Sequence, residues 1–175
     1  MDAVKYVMLL DDNGLPCGLC EKLLAHQEGL LHQAFSIFVF NEKDELLMQK
    51  RADDKYHSGG LWTNTCCSHH TQTDPVQQGK ERLIEEMGFS CDLYPLFTFT
   101  YRAELEGGLT EYETDTVLIG RYSGAVSPDP NEADSWEWVN LSELRSRVAT
   151  NPEKYTVWFR KSFDRVADAL NGSVI

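Results

Sequence analysis

The sequence predicts a mixed fold, an α+β or α/β sandwich in which helices cover a sheet of mixed strands. With 175 residues, of which 42% are hydrophobic, the chain is long enough for one globular domain with a sizeable core. Three features predict the class. They are a nearly continuous apolar run at His32–Phe40, a strongly marked helix start near residue 74, and two helical segments at the carboxyl end.

The first half of the chain is predicted to be mainly strand. Residues 4–10 read as a strand, and a turn of sequence Asp-Asp-Asn-Gly lets residues 15–20 return as its hairpin partner. The run His32–Phe40 is apolar at almost every position, which is typical of a strand buried on both faces. A polar turn then leads to a further strand at Leu46–Arg51.

A central helix is predicted to begin after Asp74, which is a favoured N-cap residue. Pro75 suits the first helical position, Gln77 resembles the partner of a capping box, and Gly88 suits the left-handed residue that ends a helix. The apolar positions expected to share one face at 3.6-residue spacing are Val76, Leu83, Ile84 and Met87.

The second half adds strands and two helices. The strands are predicted at residues 93–101, 112–122 and 135–139. Asn140, with Glu143 three residues later, predicts the start of one helix, and Asn151 followed by Pro152 predicts the start of the last one. The core-facing stripe expected on the last helix is Tyr155, Phe159, Phe163, Val166 and Leu170.

Charge and composition exclude several classes of partner. The net charge of −12 argues against nucleic acid or anionic lipid, which need a basic surface. The window 104–137 alone holds nine acids and one base. No apolar run approaches the ~20 residues of a membrane span, and the amino terminus lacks the pattern of a signal peptide. Five cysteines, two of them adjacent, read as free thiols, so the expected compartment is the cytoplasm.

The segment 62–70, Trp-Thr-Asn-Thr-Cys-Cys-Ser-His-His, is rich in reactive side chains and poor in ordinary core residues. In an extended segment His69 projects to the same side as Cys67. The two could be a nucleophile and its base, or a base beside a metal site. The alternative is that Cys67 is an inert buried thiol, since free cysteine is among the most buried residue types.

A metal site is the second chemical hypothesis. In a strand Glu111 and Glu113 would point to one face, ~7 Å apart along the chain, and the residues at 117–119 that follow them enter the core. With three of the five histidines, namely His26, His32 and His69, they would make a five- or six-coordinate site for Zn²⁺, Mn²⁺ or Mg²⁺. The alternatives are an acidic strand edge in solvent and histidines with purely structural roles.

Residues near the end of the central helix suggest a bound anion. Glu85 and Glu86 form a carboxylate pair of the kind that holds Mg²⁺ bridging phosphate oxygens, although Glu85 is better explained as part of a charged helix flank. A sparse basic set surrounds the predicted acids and fits a small polyphosphate better than a polymer. Its members are Lys22, Lys50, Arg51, Lys55 and Arg82.

These motifs together resemble the type I isopentenyl-diphosphate isomerase family. The resemblance rests on the segment from Trp62 to His69, on 82–88, on Tyr-Arg-Ala at 101–103, on Glu-Tyr-Glu at 111–113 and on Trp158. It runs from about residue 21 to Trp158 and implies the Nudix fold, a mixed sheet sandwiched by helices, with an amino-terminal β-hairpin extension. The implied organisation is an extension at 1–29 that contributes to the active site, a catalytic domain at 30–165, and a helix end and tail at 166–175.

The resemblance also implies the site and its ligands. A divalent ion, Mn²⁺, Zn²⁺ or Mg²⁺, would be held by His26, His32, His69, Glu111 and Glu113. A second ion, Mg²⁺, would be held by the Cys67 carbonyl oxygen, the Glu86 side chain and the substrate's phosphate oxygens. The diphosphate of an allylic or homoallylic substrate would be bound by Lys22, Arg51, Lys55 and Arg82. The chain is expected to act as a monomer.

The implied reaction moves a double bond through a tertiary carbocation. Glu113, aided by Tyr101, would deliver a proton to the alkene, and Cys67 would remove one from C2. The indole of Trp158 would stabilise the cation, worth ~2 kcal/mol or more when desolvated. A wall of Phe35, Trp62, Tyr101 and Trp158 would keep the site dry.

Three other functions stay open at this stage. The segment 82–89 looks like a degraded Nudix box, so a diphosphate hydrolase is the first rival. A hydrolase box would place Arg then Glu where this chain has Glu81 then Arg82, and Gly and Glu where it has Cys67 and Thr73. These departures count against hydrolysis. A non-catalytic metal-binding module and a cysteine hydrolase are the remaining alternatives.

Overall fold

A computed structural model describes residues 5–172, so the predicted strand residue Val4 lies outside the described residues. The strands in chain order are β1 Tyr6–Leu10, β2 Pro16–Glu21, β3 His32–Phe40, β4 Leu46–Arg51, β5 Trp62–Thr63, β6 Cys66–Ser68, β7 Leu93–Glu104, β8 Thr110–Arg121 and β9 Ala133–Val139. The α-helices are α1 Lys22–Glu28, α2 Pro75–Met87, α3 Leu141–Thr150 and α4 Val157–Asn171.

The sheet is mixed, as predicted, and it is organised around β3. Strand β3 runs parallel to β8 and antiparallel to β4 and β6. Antiparallel partners extend the sheet further, β7 on β8 and β9 on β4. Strands β1 and β2 form the amino-terminal hairpin, and Leu9 pairs with His32 of β3.

The core lies on both faces of the sheet because alternate residues of β3 point to opposite sides. Phe38 and Phe40 pack into a cluster with Phe159 and Phe163 of α4. On the other face, Phe35, Ile37 and Val39 pack against Leu83 and Met87 of α2. Helices therefore sandwich the sheet, and every residue of β3 is buried, as its apolar run predicts.

Helix α2 begins and ends where the sequence predicts. The Asp74 side chain accepts a hydrogen bond from the Val76 N–H, and Gly88 ends the helix in the left-handed region at φ 76°. A Cβ at Gly88 would lie 2.4 Å from the Ser127 carbonyl oxygen, so only glycine fits there. The prediction that Ile84 joins the buried face is wrong, since its side chain is 54% exposed.

The last helix begins later than predicted. Residues Pro152–Lys154 form a 3-10 turn, and α4 starts at Val157 with Thr156 as its N-cap. A tertiary contact explains the delay, because the Thr156 N–H donates to the Trp62 carbonyl and the two hydroxyls of Thr63 and Thr156 lie 2.8 Å apart. Helix α3 begins as predicted, with the Asn140 side chain accepting from the Ser142 and Glu143 N–H groups.

Helix α1 was not predicted from the sequence. It is short, and Gly29 ends it in the left-handed region at φ 62°. The stripe predicted on the last helix is buried or half-buried against the core, as expected. Over residues 5–172, none of the helices combines the length and apolar character needed to cross a membrane.

Candidate active site

Three histidines and a glutamate converge between α1, β3, β6 and β8. The Glu113 Oε1 atom lies 2.7 Å from His69 Nε2, 3.2 Å from His32 Nε2 and 3.9 Å from His26 Nε2. The parallel register of β3 and β8 accounts for part of this arrangement, since it pairs His32 with Glu113. One ligand atom from each of the four residues lies within 4.8 Å of the others.

Backbone contacts orient the histidines so that their Nε2 atoms face the cluster. The Nδ1–H of His26 donates to the Lys22 carbonyl at 2.7 Å, and that of His32 donates to the Leu30 carbonyl at 2.8 Å. Metal-binding histidines are commonly fixed by this kind of outer hydrogen bond. His26 Nε2 is buried and has no hydrogen-bond partner among the described residues, which fits a metal ligand.

Protonation states also suit a divalent cation. Burial lowers the pKa of His69 to about 3 and also lowers the pKa of His26, so both rings are neutral at pH 7. Burial alone would raise the pKa of Glu113, but the adjacent His69 and His32 hold it well below its usual range. Neutral imidazoles and an ionised carboxylate are the forms that bind metal.

Glu111, the fifth ligand implied by the family resemblance, lies beside this cluster in a second group with His26 and His57. His57 Nε2 is 4.0 Å from Glu111 Oε1. The Tyr101 hydroxyl lies 2.9 Å from Glu111 Oε2 and 3.0 Å from Glu113 Oε2, so it links the two carboxylates. Burial and the neighbouring Glu113 raise the pKa of Glu111.

Sequence reasoning missed His57, although it stands two residues after Lys55. It is 4% exposed, and burial lowers its pKa to about 2, so the ring is neutral. The ring stacks on His26 at a centroid distance of 5.7 Å and meets the Trp158 indole edge-on at 6.1 Å. His57 therefore lies between the metal-binding cluster and the predicted cation-stabilising residue.

Cys67 and Glu113 face one cavity. Cys67 lies on β6 and pairs with Ser36 of β3. The residues lining the cavity are Lys22, Ala34, Phe35, Ser36, Arg51, His57, Cys67, Ser68, His69, Glu111, Glu113, Asp115 and Trp158. Burial raises the pKa of the Cys67 thiol, opposed by Arg51 as the strongest nearby cation, so the thiol holds its proton at pH 7.

Trp158 closes one side of this cavity. It is 3% exposed, and the Arg51 guanidinium lies 5.3 Å from the centre of its ring. Arg51 is held in place by the carbonyls of His57 and Ser58, to which it donates hydrogen bonds of 3.1 and 3.2 Å. Of the other predicted wall residues, Phe35 lines the cavity, Tyr101 lies behind the carboxylates, and Trp62 packs against the core.

The four cations expected to bind diphosphate fall into two pairs. Lys22 and Arg51 line the cavity, and burial together with Lys5 and Arg51 lowers the pKa of Lys22 to about 8. Lys55 and Arg82 lie against Glu132, a residue that sequence reasoning did not single out.

Glu86, the predicted Mg²⁺ ligand, is buried, and Arg82 pairs with it. The Cys66 thiol donates to Glu86 Oε2 at 3.3 Å, and Gln49 approaches the same oxygen at 3.4 Å. This contact gives Cys66 a structural role. Glu85 is exposed and pairs with Arg82, which agrees with its assignment to the helix flank.

We expect the purified chain to hold one divalent ion at the histidine and glutamate cluster. Replacing His69 with alanine should remove most of that metal and lower the thermal unfolding temperature, because an ion that binds only the folded state stabilises it. The adjacent His70, whose Nδ1 bonds the Gln72 carbonyl, is the matched control. Metal analysis and thermal unfolding of H69A and H70A would test this, and equal metal content in both variants would contradict it.

Comparison with known proteins places these features in a family. A model of the NUDIX domain matches residues 30–159. The chain is 46% identical over 160 residues to an isopentenyl-diphosphate Delta-isomerase of Burkholderia multivorans, covering 91% of each chain. It is 43% identical over 175 residues to the Halorhodospira halophila protein of that name, covering 97% of this chain and 100% of the relative.

Solved structures share the fold at low sequence identity. A crystal structure from Deinococcus radiodurans matches with a TM-score of 0.75 and 14% identity, over 92% of this chain and 98% of that one. A MutT protein of Methanosarcina mazei matches with a TM-score of 0.62 and 19% identity, over 77% and 91%. At these identities the comparison establishes the fold alone.

Proposed function

The chain belongs to the isopentenyl-diphosphate Delta-isomerase family of NUDIX-domain proteins, and from that membership we propose how its residues interconvert isopentenyl and dimethylallyl diphosphate. The observation that carries the proposal is that a thiol, Cys67, and a carboxylate, Glu113, face one cavity beside the indole of Trp158. Moving a double bond by protonation and deprotonation needs two such groups and a cation-stabilising surface.

The proposed route begins with a proton transfer to the terminal alkene carbon from Glu113. The Tyr101 hydroxyl, 3.0 Å from Glu113 Oε2, can return a proton to that carboxylate or pass one from Glu111. The resulting tertiary carbocation loses a proton from C2 to the sulfur of Cys67, which restores the double bond one position along the chain. In the reverse direction the two groups exchange roles.

Proton positions in the free protein match one end of this cycle. Glu113 is ionised because the adjacent histidines lower its pKa, and Cys67 carries its proton because burial raises the pKa of the thiol. That is the state left after isopentenyl diphosphate has been converted, and the state from which the reverse reaction starts. The forward reaction therefore needs a proton to return from sulfur to carboxylate between turnovers.

Trp158 and its neighbours are proposed to protect the carbocation. A cation over an indole face gains ~2 kcal/mol or more when water is excluded, and Arg51 already lies over this ring. Phe35 and His57 complete an aromatic lining next to Cys67. Exclusion of water matters here because water would capture a tertiary cation as an alcohol.

Two divalent ions are part of the proposal. Mn²⁺, Zn²⁺ or Mg²⁺ would be held by His26, His32, His69 and Glu113, with Glu111 as a further ligand, and would supply positive charge that polarises the glutamates. Mg²⁺ would accompany the diphosphate, held by the Cys67 carbonyl and Glu86. The remaining phosphate oxygens would be bound by Lys22, Arg51, Lys55 and Arg82. We propose that the chain acts as a monomer.

The experiment that tests this function separates isomerisation from hydrolysis. Wild-type protein with Mg²⁺ and isopentenyl diphosphate in deuterated water should yield dimethylallyl diphosphate with deuterium in the new methyl group, followed by NMR. Phosphate release, measured in the same samples and with nucleoside diphosphate derivatives, should stay at the background level. Phosphate release without deuterium incorporation would contradict the isomerase and favour a Nudix hydrolase.

A further inference from the structure

Glu132 lies between two of the cations assigned above to the diphosphate. Its Oε2 atom is 2.5 Å from Lys55 Nζ, and its Oε1 atom is 3.8 Å from Arg82 Nη2. All three side chains are about one-fifth to one-quarter exposed, so solvent screens their charges only in part. One carboxylate thus contacts two cations that come from separate parts of the chain.

The backbone around Glu132 is tied to both of those parts. Its carbonyl accepts a hydrogen bond of 3.0 Å from the Ala52 N–H, at the start of the loop that carries Lys55. Its N–H donates to the Asp129 carbonyl, and the Asp129 N–H donates to the carbonyl of Glu86 on α2. Glu132 is therefore fixed relative to the Lys55 loop and to the helix that carries Arg82.

Electrostatics explains why a carboxylate is needed there. Arg82 also pairs with Glu85 and Glu86, whereas Glu132 is the one acidic partner of Lys55 within residues 5–172. Without Glu132 the Arg82 guanidinium would repel the Lys55 ammonium, whose long side chain would move into solvent. Glu132 offsets this repulsion, and the nearby Lys55, Arg82 and Lys5 together hold its own pKa below the usual range, against the opposing effect of burial. The carboxylate is thus ionised at neutral pH.

The contacts to Glu132 leave room for a phosphate. A lysine ammonium offers three N–H donors, and Lys55 uses one of them for Glu132. An arginine guanidinium offers five, and Arg82 pairs with Glu85, Glu86 and Glu132 while its Nε–H has no partner among the described residues. The remaining donors can bind phosphate oxygens while Glu132 stays in place.

We propose that Glu132 is a positioning residue that holds Lys55 and Arg82 at the spacing required to bind the substrate's diphosphate group. The proposal rests on the proposed function for the identity of the anion, and it concerns binding and not the proton transfers. It predicts a change in the affinity for diphosphates without a comparable change in the chemical step.

The test replaces Glu132 with glutamine, which keeps the side chain's shape and removes its charge. We expect KM for isopentenyl diphosphate to rise ~10-fold with kcat within about twofold of wild type, as for loss of one partly buried ion-pair contact. The matched control is Glu153→Gln, since Glu153 is exposed and makes no ion pair within residues 5–172. A fall in kcat at unchanged KM, or no change, would contradict a positioning role.

A second readout does not depend on catalysis. Calorimetric titration with inorganic diphosphate and Mg²⁺ should give ~10-fold weaker binding for E132Q than for wild type or E153Q, at equal thermal stability. Combined with Lys55→Met, E132Q should cost less than the sum of the two single changes, because the two residues act together. Tighter binding by E132Q would identify Glu132 as a competitor of the ligand and overturn the proposal.

These results can be separated from failure of the proposed function. A wild-type protein that binds diphosphate through Lys55 and Arg82 but forms no dimethylallyl diphosphate would refute the isomerase and leave the role of Glu132 intact. If instead the wild-type protein is a fully active isomerase and E132Q matches it in KM and in diphosphate affinity, the isomerase stands and the positioning role of Glu132 is refuted.

Discussion

Replacement of Cys67 with alanine should lower kcat for isopentenyl diphosphate by ~10³-fold or more, because one of two essential proton-transfer groups is lost. The loss should be in kcat, with little change in KM, since alanine removes only the thiol and keeps the backbone carbonyl that the proposal assigns to Mg²⁺. Metal content should stay at the wild-type level, because the sulfur is not part of the histidine and glutamate cluster.

The control for this variant is Cys91→Ala, which removes another partly buried thiol, one that is not among the residues lining the cavity. Steady-state kinetics of both variants, with thermal unfolding to verify the fold, makes the comparison. A C67A protein with near wild-type turnover would favour the alternative in which Cys67 is inert packing and the chain a non-catalytic metal module. Serine at position 67 should rescue little, because an alcohol is a far weaker acid than a thiol.

Sequence patterns predicted the fold correctly where a helix or strand is determined by residues close together in sequence. The apolar run of β3, the caps of α2 and α3, and the glycine that ends α2 are all decided within a few residues. The predictions that were wrong concern the start of the last helix and the buried face of α2, where contacts between distant residues matter. The Thr156 N–H donates to the Trp62 carbonyl and so delays the start of α4, and Ile84 is exposed although its spacing places it near the apolar face of α2.

The site shows the same division. The spacing of Glu111 and Glu113 predicted that they share one face in a strand, and β8 has this alternation, but an acidic strand edge stayed an alternative until the family resemblance implied the ligand set. An extended segment predicted that His69 and Cys67 share one side, and both line the cavity. His57 and Glu132 could not be found this way. His57 lies in an irregular loop, where the next residue, Ser58, has a positive φ of 52°. The role of Glu132 depends on its contacts with Lys55 and Arg82, which are distant in sequence.

Glu113→Gln should lower kcat by ~10³-fold or more, as for C67A, for two separable reasons. Glutamine cannot donate the proton that begins the reaction, and it weakens the cluster in which Glu113 contacts His32 and His69. Glu104→Gln, an exposed position on β7, is the control and should retain activity.

The comparison that separates these reasons is E113Q with His26→Ala. His26 belongs to the same cluster but has no role in proton transfer, so H26A should lose activity only as far as it loses metal. Adding metal in excess should therefore restore H26A and leave E113Q inactive. If metal restored both variants equally, Glu113 would serve the cation alone, and the proton would have to come from another group, with Glu111 and Tyr101 the nearest candidates.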